Sequence, residues 1–204
     1  MLLATCGDER KAGPTIAVSG PPGSGKTTYA RRLARDLGLE YYSAGMIFRE
    51  LAREKGISLE ELNRIAAEDP RIDMEIDART LKIGCKGGVV VEGHLVAWVL
   101  GSVADVRIYV TAPLEVRVRR IASREKRSLE EVYRETVFRE YLQWRRFLDY
   151  YGIDANSLHI FNLVIDTGYL GIEDAYSIIR GYVVRSLCGA GYGLPVCGEA
   201  STSR

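Results

Sequence analysis

Gly20-Pro21-Pro22-Gly23-Ser24-Gly25-Lys26-Thr27, followed by Thr28, satisfies the spacing G-x-x-x-x-G-K-[ST] in full. Glycines let a backbone curl until successive N–H groups face one anion, and a helix that starts there adds its positive end. In such a loop the Lys26 ammonium reaches the β- and γ-phosphates of a nucleoside triphosphate, and the Thr27 hydroxyl holds Mg²⁺. ATP and Mg²⁺ are therefore the expected cofactors. The alternative, a chance glycine turn, is disfavoured by the flanks. PTIAVS (14–19) is a short apolar run, and KTTYARRLARDL (26–37) reads as a helix with Tyr29, Leu33 and Leu37 on one side. The loop does not say where the phosphate goes.

Elements that could carry an answer alternate along the chain. Leu39–Tyr42 reads as a second strand, VVVE (89–92) as a third ending in an acid, VRIYVT (106–111) as a fourth and LVID (163–166) as a fifth. Residues 46–86 read as mostly helical, with a break at Gly56 and a boundary at Asp69–Pro70. Helices are expected at Pro113–Arg124, with proline in the first turn, and over 128–150, where Ser128 and Glu131 fit a capping box. A last helix is expected at Ile172–Val184. Short apolar strands between helices imply a parallel sheet covered on both faces. The expected fold class is α/β, a P-loop NTPase fold with a five-stranded parallel sheet flanked by helices. Residues 1–13 form an N-terminal arm, 14–186 a single domain, and 187–204 a mobile C-terminal tail.

Composition limits the function classes. The chain has 204 residues and a net charge of +1, so no basic field points to nucleic acid. Its 28 basic residues divide into 22 Arg and 6 Lys, which favours the planar fork suited to phosphate, or reflects compositional bias. Cys6, Cys85, Cys188 and Cys197 lack metal-site spacing, and Cys188 and Cys197 could close a small tail loop. No apolar run approaches the roughly 18 residues needed to span a bilayer. The start, MLLATCGDERK, is too charged for a secretory signal. A cytoplasmic monomer that takes small-molecule nucleotides is expected, with no nucleic-acid or membrane partner.

GPPGSGKTT followed some twenty residues later by SAGMIFRE (43–50) resembles nucleoside monophosphate kinases. EDPRIDMEIDAR (68–79), VVVEGHLVAW (89–98), TAPLEVRVRRIASRE (111–125) and YYGID (150–154) look like archaeal-type cytidylate kinase. The resemblance covers roughly residues 14–185. It implies a helical NMP-binding insertion at about 44–86 and a short Arg-rich lid at about 121–147. It implies that Arg49, beside Ser43, grips the phosphate of the accepting nucleotide, and that Glu92 orders water around Mg²⁺. Arg120 would lie against the donor adenine and Arg124 would reach its phosphates. Arg139 and Arg146, two helical turns apart, would bridge donor and acceptor phosphates as catalytic groups together with Lys26 and Arg124.

Asp73 and Asp77 share a helical face, with Arg79 close by. A carboxylate accepts from the N4 amino group of cytosine and Arg donates to ring acceptors, a set suited to cytosine rather than uracil. A solvated helix face is the alternative. Two features depart from the family. His94 follows Gly93 where the similar enzymes carry Arg, and an imidazole is fully charged only below about pH 6.5. YLQW (141–144) stands where polar, acidic residues are expected, so Trp144 either packs the lid or touches a base. Glu140, beside Arg139, could orient an Arg or contact the acceptor.

The leading expectation is phosphoryl transfer from ATP to CMP or dCMP. Transfer to UMP or AMP, a regulatory nucleotide binder, and an ATPase using His94 stay open. No general base is required, because the acceptor is already an oxyanion and the protein's work is positioning and charge stabilisation.

Overall fold

The computed structural model describes Cys6 and residues 13–200, the side chains of Ala67, Arg146, Glu199 and Ala200 excepted. In chain order these residues form β1 (Thr15–Ser19), α1 (Lys26–Leu37), β2 (Glu40–Ser43), α2 (Ala44–Glu54), α3 (Leu59–Glu68) and α4 (Pro70–Lys86). They continue through β3 (Val89–Glu92), α5 (Val96–Leu100), a 3₁₀ turn, β4 (Val106–Thr111), α6 (Leu114–Glu125), α7 (Leu129–Tyr151), β5 (Leu163–Asp166), α8 (Ile172–Gly189) and α9 (Cys197–Ala200).

The five strands make one parallel sheet in the order β2-β3-β1-β4-β5. Its centre is apolar on both faces: Ile16, Ala17, Val18, Val90, Val91 and Ile108 are fully buried. Burial of a Val- or Ile-sized side chain is worth about 1.5–3 kcal/mol, so a β1 without polar faces is stable only between two helical layers. Leu33 and Ile179 of α1 and α8 fill one side, Ala97 and Leu100 of α5 the other. Strand order reverses around β1, which pairs with β3 on one edge and β4 on the other. Ligands of open α/β sheets bind beyond the carboxyl ends of strands at such a reversal. The glycine loop lies there, directly after β1.

Caps explain several boundaries. Ser43 Oγ accepts from the Met46 N–H at 3.1 Å, Ser58 Oγ from Glu61 N–H at 3.0 Å and Ser128 Oγ from Glu131 N–H at 3.3 Å. Pro70 opens α4 behind its Asp69 cap. The tail expected to be mobile folds back instead. α8 runs five residues past Val184, and Tyr192, Leu194 and Val196 pack on the main core. A Cys188–Cys197 disulfide closes the return, and the Tyr192 hydroxyl donates to Asp105 Oδ1 at 2.8 Å. Burial and this carboxylate push the Tyr192 pKa up to about 12. A second disulfide, Cys6–Cys85, ties the N-terminal arm to the last turn of α4; the rest of the arm before Gly13 lies outside the described residues. Among the described residues, no helix is long and apolar enough to cross a membrane.

Candidate active site

The phosphate loop is built where side chains cannot fit. A Cβ on Gly20, at φ +150°, would stand 2.1 Å from the Val110 carbonyl oxygen, and one on Gly23, at φ +77°, 2.7 Å from that of Arg117. Ser24 is fully buried and its Oγ has no hydrogen-bond partner in the protein. Lys26 Nζ donates to the Pro21 carbonyl at 3.4 Å. Burial lowers the Lys26 pKa, Glu92 opposes that shift, and Arg139, Arg124 and Arg117 add to it. An ammonium that donates to a backbone carbonyl, with Glu92 and three arginines acting on it, is poised for anionic oxygens. Thr27 Oγ1 donates to Glu92 Oε1 at 3.0 Å and the Tyr41 hydroxyl to the same oxygen at 3.1 Å. The other carboxylate oxygen, Oε2, is buried with no partner in the protein. A hydroxyl beside such a carboxylate at a phosphate loop is a donor set that fits a hydrated Mg²⁺.

Across from the loop lies a cavity of about 440 Å³ between α2, α3, α4 and the second half of α7. Arg49, Asp73, Asp77, His94, Arg139 and Tyr151 line it. Expected residues from three separate elements thus meet in one space. Asp77 and Tyr151 are joined across it, the phenol donating to Oδ2 at 2.6 Å. Three expected acceptor residues are not part of its lining. Arg79 points away and forms a fork with Glu54, at 2.9 and 2.6 Å, with Glu75 at 2.8 Å; the Glu54 bonds raise its pKa. Its carboxylate partners, rather than a base, take up its donors. Ser43 spends its hydroxyl on the α2 cap. Gly93 is a spacer: a Cβ there would meet Val96 Cγ2 at 2.8 Å and Ala44 Cβ at 3.0 Å.

His94 stands between this cavity and a smaller one, of about 110 Å³, which reaches Gly20 and Pro21 of the loop. Trp144 lines the smaller space and its Nε1–H donates to Asp154 Oδ1 at 3.2 Å. On the other flank, Arg120 donates to the Thr167 carbonyl at 2.8 Å and its hydroxyl at 3.0 Å, while that hydroxyl donates to Ser24 O at 3.0 Å. Arg120 therefore borders the loop. Arg124 is largely exposed and pairs with Glu125 at 2.6 Å. It shares a recess of about 40 Å³ with Arg127 and Arg139. The Arg146 side chain lies outside the described residues.

Sequence reasoning missed Arg117, Tyr41, Tyr151 and Thr167. The helical stripe Val132, Thr136, Glu140, Gln143, Phe147, Tyr151 is the signal that could have found Tyr151. It is one face of α7, apolar or small over α6 and, Phe147 apart, polar over the cavities. Arg117 lies one turn before Arg120 among apolar residues, a position where a buried cation needs a partner.

A glycine loop at the reversal of a parallel sheet, with a second nucleotide-sized space opposite and an arginine-bearing helix over both, defines a phosphate-loop kinase. Solved structures agree on the fold. Shikimate kinase from Acinetobacter baumannii in complex with shikimate is similar at a TM-score of 0.56 and 18% identity, over 88% of this chain and 96% of that one. An uncharacterized protein from Eubacterium ventriosum reaches a TM-score of 0.65 at 16% identity, over 83% of this chain and 98% of the other. Residues 15–169 match the cytidylate kinase-like family. The chain is 55% identical over 172 residues to the cytidylate kinase of Staphylothermus marinus, covering 84% of this chain and 97% of that one. It is 56% identical over 162 residues to that of Aeropyrum pernix, covering 79% and 94%. The chain belongs to the cytidylate kinase-like family.

Proposed function

We propose that the protein transfers the γ-phosphoryl group of ATP to CMP or dCMP, giving ADP and CDP or dCDP. The carrying observation is the acceptor cavity, which holds a cation, Arg49, and two carboxylates, Asp73 and Asp77, across from the phosphate loop. Phosphoryl transfer asks the protein for alignment and charge stabilisation rather than covalent chemistry. The loop N–H groups and Lys26 hold the donor's β- and γ-phosphates. Arg49 holds the acceptor phosphate. Arg139, which lines both the acceptor cavity and the recess beside Arg124, stabilises charge on the group in transit. Asp73 and Asp77 accept from the cytosine amino group, and His94 contacts the accepted nucleotide. Thr27, with Glu92 through water, would hold Mg²⁺, whose charge offsets that of the triphosphate. The protein works as a monomer on free nucleotides.

Incubation with Mg²⁺, ATP and each of CMP, dCMP, UMP, AMP, GMP and dTMP, with an acceptor-free control, tests this reading by the ADP formed. Turnover led by CMP or dCMP supports it. Turnover led by UMP or AMP keeps the kinase but removes cytosine reading from Asp73 and Asp77. Equal ADP in every tube, control included, overturns it in favour of an ATPase or a regulatory binder.

A further inference from the structure

Arg117 has no part in the roles above, yet it is among the most constrained groups of the site. It is 7% exposed. Its Nε donates to the Ala112 carbonyl at 2.9 Å and its Nη1 to the Pro22 carbonyl at 3.2 Å. Its fork closes on Glu140, Nη1 on Oε1 and Nη2 on Oε2, the latter at 3.2 Å. Three elements meet at this guanidinium: α6, which carries it, the phosphate loop through Pro22, and the middle of α7 through Glu140. The approach is prepared from the loop side as well, because only a glycine at position 23 admits the Arg117 backbone.

A guanidinium this buried is costly without a counter-charge, so the pair resists separation. The residue next to Glu140 is Arg139, whose charge is felt at Lys26 and which lines both the acceptor cavity and the recess beside Arg124. Fixing Glu140 fixes where Arg139 starts. Glu140 is also the carboxylate bound directly to Arg117, one of three arginines whose charges act on Lys26. A carboxylate carried by α7 thus stands among the cations gathered at the loop and offsets their mutual repulsion, including that felt by Arg139 on the same helix.

We infer that Arg117 and Glu140 are positioning residues: a buried ion pair that sets the register of α7 against the phosphate loop and so holds Arg139 over the junction between donor and acceptor. The inference rests on the phosphoryl-transfer reading. A mismatch of about 1 Å in such a register is enough to lower the rate a hundredfold while leaving each nucleotide's binding contacts in place.

Steady-state kinetics with ATP and CMP on the unaltered chain, Arg117→Lys, Glu140→Gln and the double variant test it, alongside ATP affinity by calorimetry and a melting curve for each. We expect kcat to fall by at least about tenfold in each single variant, with both KM values and the ATP affinity within about threefold. The double variant should lose no more than the worse single one, since the two residues act as a unit. Should Arg117→Lys fail to fold, the near-isosteric Glu140→Gln decides alone. Unchanged kcat, losses confined to KM, or losses that multiply in the double variant would overturn the inference while the unaltered chain still phosphorylates CMP. No transfer by the unaltered chain would overturn the functional reading and this inference with it.

Discussion

Lys26 keeps a charge where burial and three arginines oppose it, and its lowered pKa makes that visible as a pH dependence. As pH rises through the lowered value the free enzyme loses its ammonium and, with it, the grip on the triphosphate. The alkaline limb of kcat/KM for ATP should therefore fall below the ordinary lysine value of 10.5. Lys26→Arg should abolish that limb. The stability contribution of Lys26 has the opposite sign. A depressed pKa means the unfolded chain binds more protons, so stability gains with pH between the folded and unfolded values while activity declines. A pH-rate profile beside pH-dependent melting curves separates the two. At the acceptor cavity, Tyr151→Phe removes the donor to Asp77 Oδ2 and should raise the KM for CMP about fivefold or more, with the KM for ATP unchanged. Arg79→Gln should leave both constants unchanged and lower the melting temperature by at most about 2 °C, since its partners are carboxylates near the surface. Where Lys26, Thr27, Arg49 and Glu92 would stand was legible because each sits in a short segment whose neighbours dictate its placement. The placement of Arg79 outside the cavity lining was not legible, because Glu54, its fork partner, comes from another helix and no local spacing announces that pairing.

Among the elements, the glycine loop carries the least tolerance. Gly20→Ala places a methyl against the Val110 carbonyl in a conformation that side-chain-bearing residues rarely adopt. We expect ATP binding to weaken by at least about tenfold, read by calorimetry, with the melting temperature reduced as well. The strands, the long helices and the Ser128 cap were readable from apolar runs and local hydrogen-bonding chemistry, whereas the Ser43 and Ser58 caps came only with the structure. The short α5, Val96–Leu100, was not, because five residues offer too little periodicity to distinguish a helix from a loop. Its place is set by tertiary contact: Ser19 Oγ accepts from the Ala97 N–H at 3.1 Å.

For the molecule as a whole, the two disulfides differ in what they restrain. Cys6–Cys85 closes a separation of 79 residues and Cys188–Cys197 one of 9. In the chain-entropy picture these are worth about 4.5 and about 2.7 kcal/mol. Cys6→Ser should therefore lower the melting temperature more than Cys188→Ser, and thiol reduction should remove both differences. The tail pairing was open to reading because the two cysteines are neighbours in sequence. The Cys6–Cys85 pairing was not, since nothing in a separation of 79 residues records that the fold brings Cys6 to the last turn of α4.

The helix α7 has a consequence of measure. Glu140 binds Arg117 at the phosphate loop and Tyr151 binds Asp77 at the acceptor cavity, both from one face of the same rod. Their separation is close to three helical turns, about 16 Å along the axis at 1.5 Å per residue. The span between the donor's anchor and the acceptor's far wall is thus written as a residue count. A single residue inserted between them would swing one end by about 100° and break whichever contact yields first.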